Sequence, residues 1–381
     1  MHRRFLAGMA VLMAGPVMSA MGAMVIVESK DATYPERLAA REVRRYLYVR
    51  SGELVPISRA DEASKDADLI IVARKDRDVI YQYAPDGRMA FSISRLAPQE
   101  YLVKRMGQDG RRTLVIVGGD EIGTLYGAYR FAEHLGVRFY MEGDVVPDER
   151  IPLAIPDITD TGRPLFELRG IQPFHDFPEG PDWWDLDAYQ AIISQLPKLR
   201  MNFLGLHTYP EGGVGPEPLT WIGPPEDVGE DGRVKASYPS RHFSTVSGTW
   251  GYQPKKTSEY LYGASMLFAD DNHCQDVQAG MAPWPATPEQ CNELFNRFGG
   301  KLKAAFEHAR RLGVKTCIGT EVPLIVPSEV RQRLKPGEPG IEVVGGSFAD
   351  YGSAIEGTED DALYRSVRWN MAAYRFVVPD G

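Results

Sequence analysis

The chain has 381 residues, 43% of them hydrophobic and 25% charged, and a formal net charge of -9 at pH 7. That length holds two cores of ordinary size, and the composition excludes fibrous or low-complexity chains. The acidic balance argues against a nucleic-acid partner, which is gripped through clustered Lys and Arg. Cys274, Cys291 and Cys317 are too few and too scattered for a disulfide framework, and none has zinc-site spacing.

At the amino end, His2, Arg3 and Arg4 precede an apolar run, Phe5–Met18, that is too short to span a bilayer comfortably. With Ala20-Met21-Gly22 as cleavage point, residues 1–23 read as a signal peptide, so the expected location is secreted or periplasmic. No cysteine follows the run, which argues against a lipid anchor, and the mature chain is expected to carry no membrane span.

Met24–Glu28 reads as a strand and Pro35–Arg50 as a helix with Leu38, Val43, Tyr46 and Leu47 inward, closed by Ser51-Gly52. Leu54–Ile57, Asp68–Ala73, Glu100–Arg105 and Thr113–Val117 read as further strands. Gly118 and Gly119 turn the chain sharply, and Asp120 is placed to cap a helix whose Leu125, Tyr129, Ala132 and Leu135 recur at helical spacing up to Gly136. Glu121 puts a second carboxylate at the positive end of that helix, which argues against a phosphate cradle. Two helices on one mixed sheet predict an α+β sandwich over residues 24–145. Residues 146–165, rich in Pro and Asp and without periodicity, read as a linker.

From Phe166 the pattern changes to longer units. Phe166–Phe174 reads as a strand, Asp185–Arg200 as a helix, and Met201–His207 as a second strand, a parallel pair with a right-handed crossover. A Gly- and Pro-rich excursion, about 208–286, follows. Then come a helix over Thr287–Gly313, a third strand over Val314–Thr320, a short strand over Ile341–Val344, and a helix over Glu359–Phe376. Such a succession predicts an α/β fold of the (β/α)8-barrel type over residues 166–381. Half its strands are missing, so the barrel is expected to be incomplete here and the natural product to continue beyond Gly381.

The helix at Gly123 and the strand after it carry a resemblance. Gly123, Gly127, Tyr129, Phe131, Glu133, Leu135, Gly136, Val137, Arg138, Phe139 and Tyr140, with Pro147 after them, are similar to the end of the small domain that precedes the barrel in alpha-glucuronidases. Similar domains precede the barrel in beta-N-acetylhexosaminidases. The resemblance covers roughly residues 24–165 and weakens beyond. It implies acid/base hydrolysis of a glycosidic bond by carboxylates, on plant-type or other complex polysaccharide, with no cofactor.

Barrels of this type keep their chemistry at the carboxyl ends of strands, and sugar hydrolysis needs one protonated and one ionised carboxyl group across the bond. Three strand ends carry such groups: Glu321, Glu211 and Asp176 are the catalytic candidates, with a salt bridge or a helix cap at the start of the next unit as the plainer role of Glu321. His207 stands where hexosaminidase-like barrels place a histidine, in M-N-x-L-x-x-H; there it bonds a sugar hydroxyl or is simply a satisfied histidine at the barrel rim. His175 and Tyr209 sit beside the same strand ends. Arg169-Gly170 resembles the R-G that opens many of these barrels. There the arginine grips a sugar, or pairs structurally with a carboxylate. Trp183, Trp184 and Trp250 are loop aromatics suited to stacking on a sugar ring or to packing a long loop in place. Asp270-Asp271-Asn272-His273 lacks calcium-loop spacing, so no metal site is expected. The rival reading is a non-catalytic carbohydrate-binding or surface protein on the same scaffold. Oligomeric state is left open.

Overall fold

A strand covered on both faces reads as a continuous β-branched run, and Met24–Glu28, Asp68–Arg74 and Arg111–Gly118 are such runs. The computed structural model describes residues 24–63, 66–83, 87–108, 111–173, 184–208, 230 and 287–320. In chain order the first part contains β1 (Met24–Glu28), α1 (Tyr34–Ser51), β2 (Ile57–Arg59), β3 (Asp68–Arg74), α2 (Asp78–Tyr83) and α3 (Gly87–Ser94). It continues with β4 (Tyr101–Gln108), β5 (Arg111–Gly118), α4 (Glu121–His134), a β6–β7 hairpin (Arg138–Tyr140, Gly143–Val145) and β8 (Thr159–Gly162). The second part contains β9 (Gly170–Ile171), α5 (Leu186–Lys198), β10 (Phe203–Thr208), α6 (Pro288–Arg311) and β11 (Lys315–Thr320).

The first part is a mixed sheet in the order β2-β1-β3-β5-β4-β8, with β4 antiparallel to β5 and β8 antiparallel to β4. Its register aligns Ile26, Ile70 and Leu114 on one face and Val27, Ile71 and Val115 on the other. The first face is covered by α1 (Val43, Tyr46, Leu47) and α4 (Leu125, Ala128, Phe131). The second is covered by α2 (Val79, Ile80) and α3 (Met89, Ile93). Two layers were expected and there are three. The two extra helices, of 6 and 8 residues, are too short to show a helical period in sequence.

Residues read as a linker also join this sheet and its core. Ile155 and Ile158 are buried in the first core cluster, the Arg105 N–H donates to the Ile158 carbonyl at 2.8 Å, and β8 pairs with β4. The sequence Thr-Asp-Thr-Gly has no apolar alternation because an edge strand packs little. The six-stranded sheet therefore extends to Gly162, within the residues read as a linker.

The second part is a parallel sheet in the order β11-β10-β9, with α5 and α6 packed together over one face. Leu204 and Leu206 of β10 meet Ile193 and Leu196 of α5 and Leu302, Ala305 and Phe306 of α6. The first strand, expected over 166–174, pairs with β10 only at Gly170 and Ile171. The strand at Ile341–Val344, the helix at Glu359–Phe376 and most of the 208–286 excursion lie outside the described residues. Among the described residues, no helix is long and apolar enough to cross a membrane.

Candidate active site

The three parallel strands are in register: Phe203 stands opposite both Gly170 and Lys315, and Thr208 stands opposite Thr320. Their carboxyl ends therefore lie along one edge of the sheet, with His207 the register partner of Gly319. Glu321 follows Thr320 directly in sequence, and Tyr209 and Glu211 follow Thr208. The structure thus brings together the strands that lead to the catalytic candidates. Glu321, Glu211, Asp176, His175, Tyr209, Trp183 and Trp250 themselves lie outside the described residues.

Arg169 is described, and its donors are taken up by protein. Its Nε donates to the Arg200 carbonyl at 2.7 Å, Nη1 to the Phe166 carbonyl at 2.5 Å, and Nη2 to Gln99 Oε1 at 2.7 Å. The guanidinium also lies 5.9 Å from the centre of the Tyr126 ring. A carboxylate was the expected structural partner, but carbonyls and an amide oxygen do that work. Burial raises the Tyr126 hydroxyl to about 12, with Arg169 pulling the other way, so it stays a neutral donor, 3.4 Å from the Met201 carbonyl.

Trp184 stands just before Asp185, which caps α5 by accepting from the Ala188 N–H at 2.8 Å. The indole packs edge-on against Tyr189, with centroids 5.2 Å apart, and joins the core shared by α5 and α6. Its carbonyl accepts from Lys301 Nζ at 2.9 Å. These contacts are ones the packing alternative calls for.

Sequence reasoning missed the polar groups that set the amino ends of the strands. Asn202, 3% exposed, accepts from the Arg169 N–H at 2.8 Å and donates to the Glu167 carbonyl at 2.9 Å and to Gln99 Oε1 at 3.1 Å. Glu133 holds the Arg200 fork at 2.9 and 2.7 Å and also accepts from Arg130. Burial alone would raise its carboxyl; Arg200 and Arg130 outweigh that and hold it below the ordinary range. Asp144 is likewise lowered against its burial, by Lys198 at 2.8 Å together with Tyr46 and Arg45. Asn202 and Glu133 were both inside recognised motifs. The signal was present, but a polar residue at a strand start or helix end does not announce its partner.

A separate cleft of about 400 Å³ opens beyond the carboxyl ends of β1, β2 and β3. It includes Glu28, Asp31, Arg59, Asp61 and Asp78, and none of the sequence candidates lines it. Among the described residues, no group of three or more His, Cys, Asp or Glu is placed to hold a metal ion.

No protein-family model matches the chain, and no curated protein matches it. Solved structures similar to it include the family GH115 4-O-methyl-alpha-glucuronidase BtGH115A, with specificity for decorated arabinogalactans. It is 18% identical at a TM-score of 0.37, over 50% of this chain and 26% of that one. A GH138 enzyme targeting pectin rhamnogalacturonan II is 10% identical at 0.40, over 78% and 31%. The GH20 exo beta-N-acetylglucosaminidase of Vibrio harveyi is 12% identical at 0.35, over 80% and 33%. This chain thus spans about a third or less of each of these three.

Proposed function

We propose that the chain belongs to an exported glycoside hydrolase of alpha-glucuronidase-like type, acting on plant-type or other complex polysaccharide. Its chemistry is acid/base hydrolysis by carboxylates among Glu321, Glu211 and Asp176. The observation that carries this reading is the in-register parallel trio β9–β10–β11, whose carboxyl edge leads in sequence to all three carboxylates. Two carboxyl groups about 5–10 Å apart across a glycosidic bond suffice, one donating a proton and the other acting as nucleophile or activating water. No cofactor is needed for that chemistry.

The test is Glu321→Gln, which keeps the volume and removes the ionisable group. Turnover of acidic xylo-oligosaccharides should fall at least about a hundredfold if Glu321 is the acid or the base. Activity within a few-fold of wild type would return Glu321 to a salt bridge or cap. Binding of those sugars by wild type without any turnover would favour the non-catalytic binder.

A further inference from the structure

We propose that the amino-terminal domain sets the position of the β9–β10 pair through a joint of Gln99, Arg169, Arg200 and Asn202. In this joint Gln99 is a positioning residue for strands far along the chain. The joint is a continuous network. Asp120 Oδ1 caps α4 by accepting from the Gly123 N–H at 2.6 Å, and it also accepts from the Gln99 N–H at 2.9 Å. Gln99 Oε1 then accepts from Arg169 and from Asn202, the residues immediately before β9 and β10. The Asn202 N–H donates to the Arg169 carbonyl at 2.7 Å, and the Lys315 N–H donates to the Asn202 carbonyl at 2.8 Å, which brings in β11.

Backbone conformation points to the same place independently. Among the described residues, Gln99 (φ 65) and Arg200 (φ 60) are the non-glycine residues at positive φ, a region costly for any side chain with a Cβ. Three helix-to-strand loops close alike: Val137 N–H on the Ala132 carbonyl, Val314 N–H on Ala309, and Met201 N–H on Leu196. The first two place glycine at the left-handed position, Gly136 and Gly313. The third places Arg200 there, and it alone reaches across to Glu133 while its carbonyl takes Arg169. The unfavourable backbone is kept where the two domains meet. Asn202 to Thr208 covers about 20 Å at about 3.3 Å per residue, so fixing the amino end of β10 aims its carboxyl end.

This inference rests on the proposed function only for what that edge does; the joint is tested without sugar. Amide hydrogen exchange on the full chain is followed in Gln99→Gly and Gln99→Glu. Glycine removes the backbone penalty and the acceptor together, so a merely local residue would be neutral or improved by it. The expected result is at least about tenfold faster exchange at Leu204, Gly205 and Leu206 in Gln99→Gly, with Ile70 and Ile71 unchanged. In Gln99→Glu, which retains the acceptor, β10 should stay within about twofold of wild type. Arg169→Lys, which loses the fork, should repeat the β10 acceleration and serves if Gln99→Gly does not fold. Unchanged β10 exchange in the glycine and lysine variants would overturn the proposal. So would equal acceleration of β3 and β10. An inactive wild type would bear on the hydrolase reading alone.

Discussion

The six-stranded domain and the three-stranded unit bury their strands differently. In the first, every long strand sends alternate residues into two cores, so Ile70 and Ile71, neighbours in sequence, belong to different clusters. In the second, Leu204 and Leu206 enter one core beneath α5 and α6. Its amino ends lean on the first domain and its carboxyl ends run on toward titratable residues. In the first domain Glu36, 0% exposed, is spent on the Arg77 fork and on the Thr33 and Arg74 N–H groups. The first region carries the larger buried cores, and the strand ends that lead in sequence to the candidate carboxylates belong to the other.

The largest expected effect tests that asymmetry directly. Ile70→Asp puts an unpaired charge in a site with no exposure and should abolish cooperative unfolding of the whole chain. Phe306→Ala, in the core of the second unit, should cost about 3–5 kcal/mol there and leave the first domain folded. Limited proteolysis of Phe306→Ala should then leave a core from about residue 24 to 162, because β8 and Ile158 belong to it. A core ending near 145, or loss of both regions together, would break the comparison.

Much of the first domain was legible because its physics is local. The run Thr113–Val117, the cap at Asp120 and the glycine at 136 each follow from neighbouring residues, and all three appear as expected. Short helices and a polar edge strand have no period to read, so α2, α3 and β8 were missed. The joint was illegible for another reason. Gln99 and Asn202 meet across 103 positions, and nothing in either neighbourhood indicates the other. The carboxyl edge was read from strand order alone, and its register bears out the order, while the candidate carboxylates lie outside the described residues.

A smaller effect separates the regions by pH. His308 of α6 meets Ser194 Oγ at 2.9 Å, and burial, with help from Arg311, holds it below its ordinary 6.5. The unfolded chain therefore binds its proton first, so this contribution is full above pH 6.5 and is lost as pH falls through the lowered value. Glu36, Glu133 and Asp144 are also lowered, from 4.5, 4.5 and 3.8, and their contributions decline only in stronger acid. Mild acid should thus soften the second unit before the first, visible as faster exchange in α5 and α6 with β3 unchanged. His308→Gln should remove that mild-acid step and leave the strong-acid one.

The smallest effect concerns Trp184, which the sequence offered either to a sugar or to packing. Its ring lies edge-on to Tyr189 at an interplanar angle of 78°, a geometry worth about 0.5–1.5 kcal/mol beyond the area it covers. Trp184→Ala should therefore lower the unfolding temperature of the second unit modestly, while Trp184→Phe keeps an edge-to-face partner and recovers most of the loss. The carbonyl that holds Lys301 is backbone and survives both changes. Affinity for acidic xylo-oligosaccharides should be the same in wild type and in Trp184→Phe. A fall in affinity in Trp184→Phe with no change in melting would give the indole to the sugar instead, and would move the binding face from the strand edge toward the start of α5.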